Sequence, residues 1–292
     1  MKIAILGTGS LARLYGAIFQ DDDPLMIGRQ LGPYLLTDPN ELVSRHNLRF
    51  QRWDDPSPDS WDVVFILVKW PAMPLVRNWL QRWAGDALII PFMNGMGQED
   101  ALIPPLHPSQ LSPAITTDAA FRDDDPMTGV WRVAVKNRGQ AQLTQVAHPN
   151  ELILRDRAQS LGLPWSWHDA EFMKVLRWKK LIANSIINPL SALAGQPNGD
   201  LPGLPIWRLS KPLCQEAETV ARAYGVEIDR TLPWIVELAT DTGPNRSSML
   251  QDVLLGKPTE IQAITGYIIE QAKKAGIPIP HHQALYQLIE SL

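Results

Sequence analysis

Two apolar periodicities divide the chain. In the first half, short unbroken apolar runs at Lys2–Leu6, Pro24–Arg29, Val63–Val68 and Ala87–Phe92 read as strands, with helical patterns to Phe19 and over Ala72–Trp83 between them. An unbroken run such as Val63–Val68 marks a strand buried on both faces of a parallel sheet. From Pro113 to Thr144, with Gly129 and Gly139 as punctuation, the pattern is β-rich and predicts further strands closing that sheet. After Trp167 strand patterns vanish. Helical spacing follows from Ala170, with Asp169 as N-cap, and again over Leu209–Tyr224, Leu232–Thr240, Met249–Leu254, Glu260–Ala275 and His281–Leu292. Gly225 and Gly276 suit helix ends, and Leu201–Trp207 reads as a Pro/Gly loop. This predicts two domains, residues 1–167 and 168–292, with the active site expected in a cleft between them.

The first strand runs straight into Gly7, Thr8, Gly9, Ser10, Leu11 and Ala12, a G-x-G-x-x-A pattern that opens a helix. The first glycine permits a tight turn, the second lets a pyrophosphate approach the backbone, and Ala12 lets helix and strand pack closely. The helix N-terminus favours the anion. In that context the motif predicts a Rossmann-type dinucleotide-binding domain; a plain Gly-rich βα turn is the rival reading. The fold class is therefore α/β, with an all-α C-terminal domain. In an NAD site an acidic residue about 20 positions past the glycines would hold the ribose hydroxyl. Here Arg29 stands there, and a guanidinium suits a 2′-phosphate, which points to NADP; an ordinary exposed strand-end arginine is the alternative. Lys69 and Asn94 both fall at carboxyl ends of predicted strands, where ligands bind in such sheets.

The stretch Arg177–Leu193, "RWKKLIANSIINPLSAL", carries Lys180, Asn184 and Asn188 at four-residue spacing among Leu181, Ile182, Ile186, Ile187 and Leu190. Four residues advance a helix by about 400°, so each step drifts only about 40° and the three polar groups form one stripe. Such a stripe is either a solvated edge or the wall of a cleft. Asparagine is a poor helix former, unlike the Glu, Lys or Gln usual on solvated edges. Pro189 removes a helical hydrogen bond and should kink the helix at Asn188.

The 292 residues are 45% hydrophobic and 20% charged, a globular composition. A net charge of −4 with no Lys/Arg block argues against nucleic acid or an anionic membrane as partner. The single Cys214 and six scattered histidines predict no disulfide framework and no metal site. No apolar run is long enough for a membrane span and no signal peptide is recognised, so the expected compartment is the cytoplasm.

With these motifs in this order, nearly the whole chain resembles the ketopantoate reductases (2-dehydropantoate 2-reductases). The glycine turn, "NGMG" at 94–97, "KLIANSIINPLSAL" and "NRSSMLQDVLLGKPTEI" carry the resemblance. The third position of the turn is Ala12, and the segment after Thr116-Thr117 follows the family only loosely. The resemblance implies an NADPH-dependent reduction of ketopantoate to pantoate, a step toward pantothenate and coenzyme A. By it Lys180 is the catalytic lysine and Glu260 completes the site and touches the cofactor. Asn184, Asn188 and Asn245 contact substrate, and Ser248 binds its carboxylate. Asn94 lies near the nicotinamide and the substrate, and Arg29 and Lys69 are basic cofactor contacts. From the residues alone, Glu260 could equally be a first-turn helix glutamate and Ser248 an N-cap. A reductase of another bulky 2-oxo acid and a non-catalytic NADP sensor are the rival functions. A sensor needs only the glycine turn and Arg29, not the intact Lys180, Asn184, Ser248 and Glu260. The chain is expected as a monomer or homodimer.

Overall fold

The computed structural model describes residues 1–57, 60–104, 106–123 and 131–292. They form two units, one of residues 1–93 and 98–173, the other of residues 94–97 and 174–292.

The first unit begins with β1 (Ile3–Leu6), α1 (Ser10–Ile18), β2 (Leu25–Ile27), β3 (Tyr34–Thr37), β4 (Val43–His46), β5 (Arg49–Gln51), β6 (Val63–Ile66), α2 (Met73–Trp83) and β7 (Leu88–Pro91). It continues with α3 (Gln98–Leu102), β8 (Ala114–Thr116), β9 (Ala119–Arg122), β10 (Trp131–Asn137), β11 (Ala141–Thr144), α4 (Pro149–Ser160) and β12 (Trp165–His168). The central sheet is parallel, in the order β5-β2-β1-β6-β7. The chain adds β2 on one side of β1 and β6 on the other, so the order reverses at β1, where such sheets bind ligands. The unbroken apolar runs have the expected cause: Val63, Val64, Phe65 and Ile66 are all fully buried. Alternate residues serve opposite faces. Ile3, Ile5, Val63 and Phe65 pack with Tyr15 of α1 and Phe19 just after it, whereas Ala4, Leu6, Val64 and Ile66 pack with Val76 and Trp79 of α2. Each buried Val, Ile or Phe contributes about 1.5–3 kcal/mol.

Two expectations change. The strands found within 113–144 do not close the parallel sheet. β9 and β10 join β3 and β4 in a second sheet, β4-β3-β10-β9, and β8 and β11 join β12 in a third. Among the described residues, a bridge between Ile89 and Leu111 is the isolated pairing next to β7. Residues 124–130, Gly129 included, lie outside the described residues. The strands of 34–51 and β12 are additional to those read from the sequence, as is α4.

The second unit is helical: α5 (Ala170–Ala194, all but its first turn), α6 (Ser210–Ala223), α7 (Thr231–Asp241), α8 (Ser248–Leu254), α9 (Tyr267–Ala275) and α10 (Pro280–Glu290). Asp169 caps α5 as expected, its carboxylate accepting from Phe172 N–H at 2.8 Å. Gly225 and Gly276, with φ of 71° and 69°, end α6 and α9. Ile182, Ile186 and Leu190 of α5 pack with Ala217, Val220, Ile268 and Leu285 in one core. α5 runs through Pro189 to Ala194. The proline thus removes only the bond that the Ser185 carbonyl would have accepted. The expected loop over Leu201–Trp207 is instead wound into 3-10 turns, Asn198–Gly203 and Pro205–Leu209. Before α9 the helix widens into a π-turn, Gln262–Gly266. Among the described residues no helix is long and apolar enough to cross a membrane.

Candidate functional site

The glycine turn lies at the carboxyl end of β1. Gly7 has φ +132°, and a Cβ there would stand 2.3 Å from the Leu67 carbonyl oxygen, just past β6, so no larger residue fits. Its N–H donates to Ile27 O at 2.8 Å, joining the turn to the end of β2. Gly9 is exposed, and a Cβ added there would meet nothing within 4 Å. The protein's own packing therefore leaves open the space that a second side chain would fill. Among the described residues no side chain caps α1, whose first-turn N–H groups begin at Ser10 and Leu11. An open cradle before an uncapped helix N-terminus fits a pyrophosphate. Ala12 is fully buried, as close helix–strand packing requires. Thr8 is buried, and its hydroxyl accepts from Gln30 N–H at 3.4 Å. Arg29 and Lys69 are exposed, just beyond β2 and β6 at the same edge of the sheet as the turn.

The second group of residues gathers in the helical unit. Glu260 is 7% exposed, and its carboxylate accepts from the Asn94 side-chain amide at 3.4 Å. Glu260 is the residue before the helix, not inside its first turn: its carbonyl accepts from Ala263 N–H and Ile264 N–H at 3.1 and 3.2 Å. Its side chain is thereby free to turn toward Asn94. Asn94 is brought there by its neighbours. Met96 N–H donates to Ala263 O in the π-turn at 3.2 Å. Gly95 has φ +82°, and a Cβ on it would stand 2.3 Å from the same Ala263 oxygen. Only glycine allows this approach. Helical π-turns are uncommon and recur at functional sites.

Lys180 projects from α5 into the same electrostatic neighbourhood. Burial lowers its pKa to about 8, and the Glu260 carboxylate opposes that fall. A desolvated ammonium gives up its proton more readily than one in water. Lys179, one position back, instead lies over the Trp234 ring at 4.5 Å. Asn184 is half-buried and Asn188 is buried, and their side-chain amides make no hydrogen bond among the described residues. These two supply donors and acceptors that the fold itself does not use.

Ser247 and Ser248 divide the roles that the sequence left open. Ser247 caps α8, its hydroxyl oxygen accepting from Leu250 N–H at 3.1 Å. It also donates to Asn188 O at 3.5 Å. Ser248 is exposed and its hydroxyl has no partner among the described residues. Asn245 is half-buried, and its carbonyl accepts from Asn198 N–H at 2.9 Å. Asn198, which sequence reasoning did not single out, also donates to Thr242 Oγ1 at 3.0 Å, and its side-chain oxygen Oδ1 is buried without a partner among the described residues. The structure thus brings Asn94, Lys180 and Glu260 together in one unit. The glycine turn, Arg29 and Lys69 share a sheet edge in the other.

The chain was compared with known proteins. The model of the family described as "Ketopantoate reductase PanE/ApbA" matches residues 3–148, and that of its C-terminal part matches residues 173–292. This chain belongs to the ketopantoate reductase family. The family is one of oxidoreductases. A 2-dehydropantoate 2-reductase of Yersinia pestis is 28% identical, with 99% of this chain and 94% of that protein covered. The solved structure of a PanE/ApbA family ketopantoate reductase from Ralstonia eutropha JMP134 superposes with a TM-score of 0.86 at 25% identity, covering 100% of this chain and 98% of that one. A D-mandelate dehydrogenase solved with NADH and anilino(oxo)acetate has a TM-score of 0.87 at 20% identity, covering 100% and 97%, a likeness of fold.

Proposed function

We propose that this chain reduces the carbonyl of ketopantoate to the alcohol of pantoate, with NADPH as hydride donor, on the way to pantothenate and coenzyme A. The observation that carries this reading is the lowered pKa of Lys180 beside Glu260 and Asn94. When bound, the nicotinamide supplies the hydride to the carbonyl carbon. The carbonyl oxygen then gains negative charge and takes a proton from the Lys180 ammonium, whose pKa of about 8 leaves it charged at neutral pH yet a far better acid than a free lysine. The unpartnered amides of Asn184 and Asn188 donate hydrogen bonds to substrate oxygens without adding charge. Ser248 offers its hydroxyl to the substrate carboxylate, and Asn245 a further contact. Glu260 holds the ammonium in its protonated form and fixes Asn94, whose amide would contact the substrate and the nicotinamide.

In this reading residues 1–167 hold the dinucleotide and residues 168–292 carry the substrate chemistry. Gly7, Thr8, Gly9, Ser10, Leu11 and Ala12 receive the pyrophosphate, Arg29 pairs with the 2′-phosphate, and Lys69 adds a second cation to the same anionic ligand. A family likeness at 25–28% identity leaves another bulky 2-oxo acid as the second substrate reading. A spectrophotometric assay of NADPH oxidation across a panel of 2-oxo acids tests both. Highest kcat/KM for ketopantoate supports the proposal. A different preferred acid overturns the substrate, and no oxidation with any of them overturns the reaction.

A further inference from the structure

Arg13 is the residue whose burial the reaction does not explain. It lies in α1, just past the glycine turn, and is 0% exposed. Burying a guanidinium is costly unless its donors are satisfied. Here Nε donates to Thr8 O at 3.1 Å, Nη1 to Gly32 O at 3.0 Å and Nη2 to Gln30 O at 3.0 Å. Its planar carbon lies 4.8 Å from the ring centre of Tyr34, 5.1 Å from Phe50 and 4.5 Å from Trp131. The Tyr34 hydroxyl also donates to the Arg13 carbonyl at 2.5 Å. One side chain therefore ties the glycine turn to two carbonyls of the segment that follows β2.

That segment carries Arg29. On one side of Arg29, Gly28 is pinned: its N–H donates to Gln51 O at 3.0 Å, and a Cβ there would stand 2.5 Å from the Thr8 hydroxyl oxygen. On the other side, Gln30 is held by Arg13 through its carbonyl and by Thr8 through its N–H. Arg29 itself is exposed, its backbone fixed before and after it. Residues 30–32 lie outside any helix or strand, so no ladder of backbone bonds orders them.

We infer that Arg13 is a positioning residue for recognition of the cofactor's 2′-phosphate: it fixes the 30–32 segment so that Arg29 is presented before the ligand arrives. The inference rests on the NADP reading above. Ordering one loop residue costs roughly a factor of ten in affinity, which the ligand must supply if the protein does not. The cost falls on the 2′-phosphate end, because the rest of the turn is held by α1 and by the Gly7–Ile27 bond.

The test compares adenosine 2′,5′-bisphosphate with 5′-AMP by calorimetric titration, since the two differ only in the 2′-phosphate. The unmodified protein should bind the bisphosphate more tightly. Arg13→Met, which keeps an apolar side chain of similar length without donors, should lose about tenfold in affinity for the bisphosphate and little for 5′-AMP. Arg13→Lys should recover part of the loss. Equal losses for both ligands, or an unchanged ratio, would overturn the inference while leaving the NADP reading intact. No preference for the bisphosphate in the unmodified protein would overturn that reading and the inference with it. Hydrogen exchange on the unmodified, ligand-free protein gives a second arm should the variants not fold. The Gly28 and Gln30 amides, which donate to Gln51 O and the Thr8 hydroxyl, should already be protected and gain little on adding the bisphosphate, and protection of these two that appears only with ligand would refute a prearranged segment.

Discussion

The lowered pKa of Lys180 predicts an unusual dependence of rate on pH. An ordinary lysine, near 10.5, stays protonated through pH 9 and its activity as an acid would be flat there. With a pKa of about 8, the protonated fraction of Lys180 falls from about 90% at pH 7 to half at pH 8 and about a tenth at pH 9. kcat/KM for the 2-oxo acid should therefore drop about tenfold between pH 7 and pH 9, approaching a further tenfold per unit above that. Burial is the main cause of the shift and the Glu260 carboxylate opposes it. Glu260→Gln removes the opposing charge, so the descending limb should move to lower pH, not higher. The assay is kcat/KM from pH 6 to 10 at saturating NADPH, with circular dichroism at each pH to exclude unfolding. A flat profile to pH 10 in the unmodified protein would refute Lys180 as the titrating acid. A limb that moves up in pH on Glu260→Gln would refute the electrostatic account.

Five other outcomes are expected. Lys180→Ala should lower kcat at saturating substrate by about 10²–10⁴-fold with NADPH affinity kept. Lys179→Ala should change kcat only a few-fold and cost about 0.5–1 kcal/mol of stability through its contact with Trp234, read by urea denaturation; the reverse ranking would sink the assignment. Gly95→Ala forces a Cβ against Ala263 O and an unfavourable φ, and should lower kcat at least about tenfold by displacing Asn94; unchanged turnover would refute the docking role of Gly95. Arg29→Ala should weaken NADPH about ten- to a hundredfold and NADH far less, by fluorescence titration on the tryptophans. In Glu216, burial raises the pKa, but hydrogen bonds from the side chains and N–H groups of His282 and His281 outweigh it and bring it to about 2. A depressed carboxylate gives stability that is present above its unfolded pKa of about 4.5 and is lost as pH falls toward 2. Glu216→Gln should therefore reduce the urea midpoint at pH 7 and flatten its decline between pH 4.5 and 2; an identical decline in both proteins would exclude Glu216 as the source.

Much of this was legible because it is local. The β1–turn–α1 unit is contiguous, and the unbroken Val63–Ile66 run records burial on both faces of one strand. The helices from α5 onward repeat at helical spacing, and the stripe of α5 needs only that spacing. What failed depends on distant partners. Nothing within 113–144 says that β10 pairs with β3, nearly a hundred residues earlier, and not with β7. β12 reads "WSWH", which alternates Trp with polar residues, but four residues are too few for that alternation to mark a strand. Two adjacent serines are equal candidates for a cap until the path of α8 selects Ser247. The role of Glu260 was hidden for the same reason: its partner Asn94 is 166 residues away, and only the π-turn and Gly95 bring them together.

The four-residue segment 94–97 belongs to the helical unit, although the chain on both sides of it belongs to the other. No single cut can then separate the molecule into two complete halves. A fragment starting at residue 174 would lack Met96, which is buried in the helical core, and the strand of backbone that docks on Ala263. During synthesis the segment leaves the ribosome long before the residues it packs against exist, and it must wait for them while its flanks fold. The helical half is thus the last to be completed and the one whose completion assembles Asn94, Lys180 and Glu260. Circular permutants or split versions that sever the chain between 93 and 98 should therefore assemble poorly.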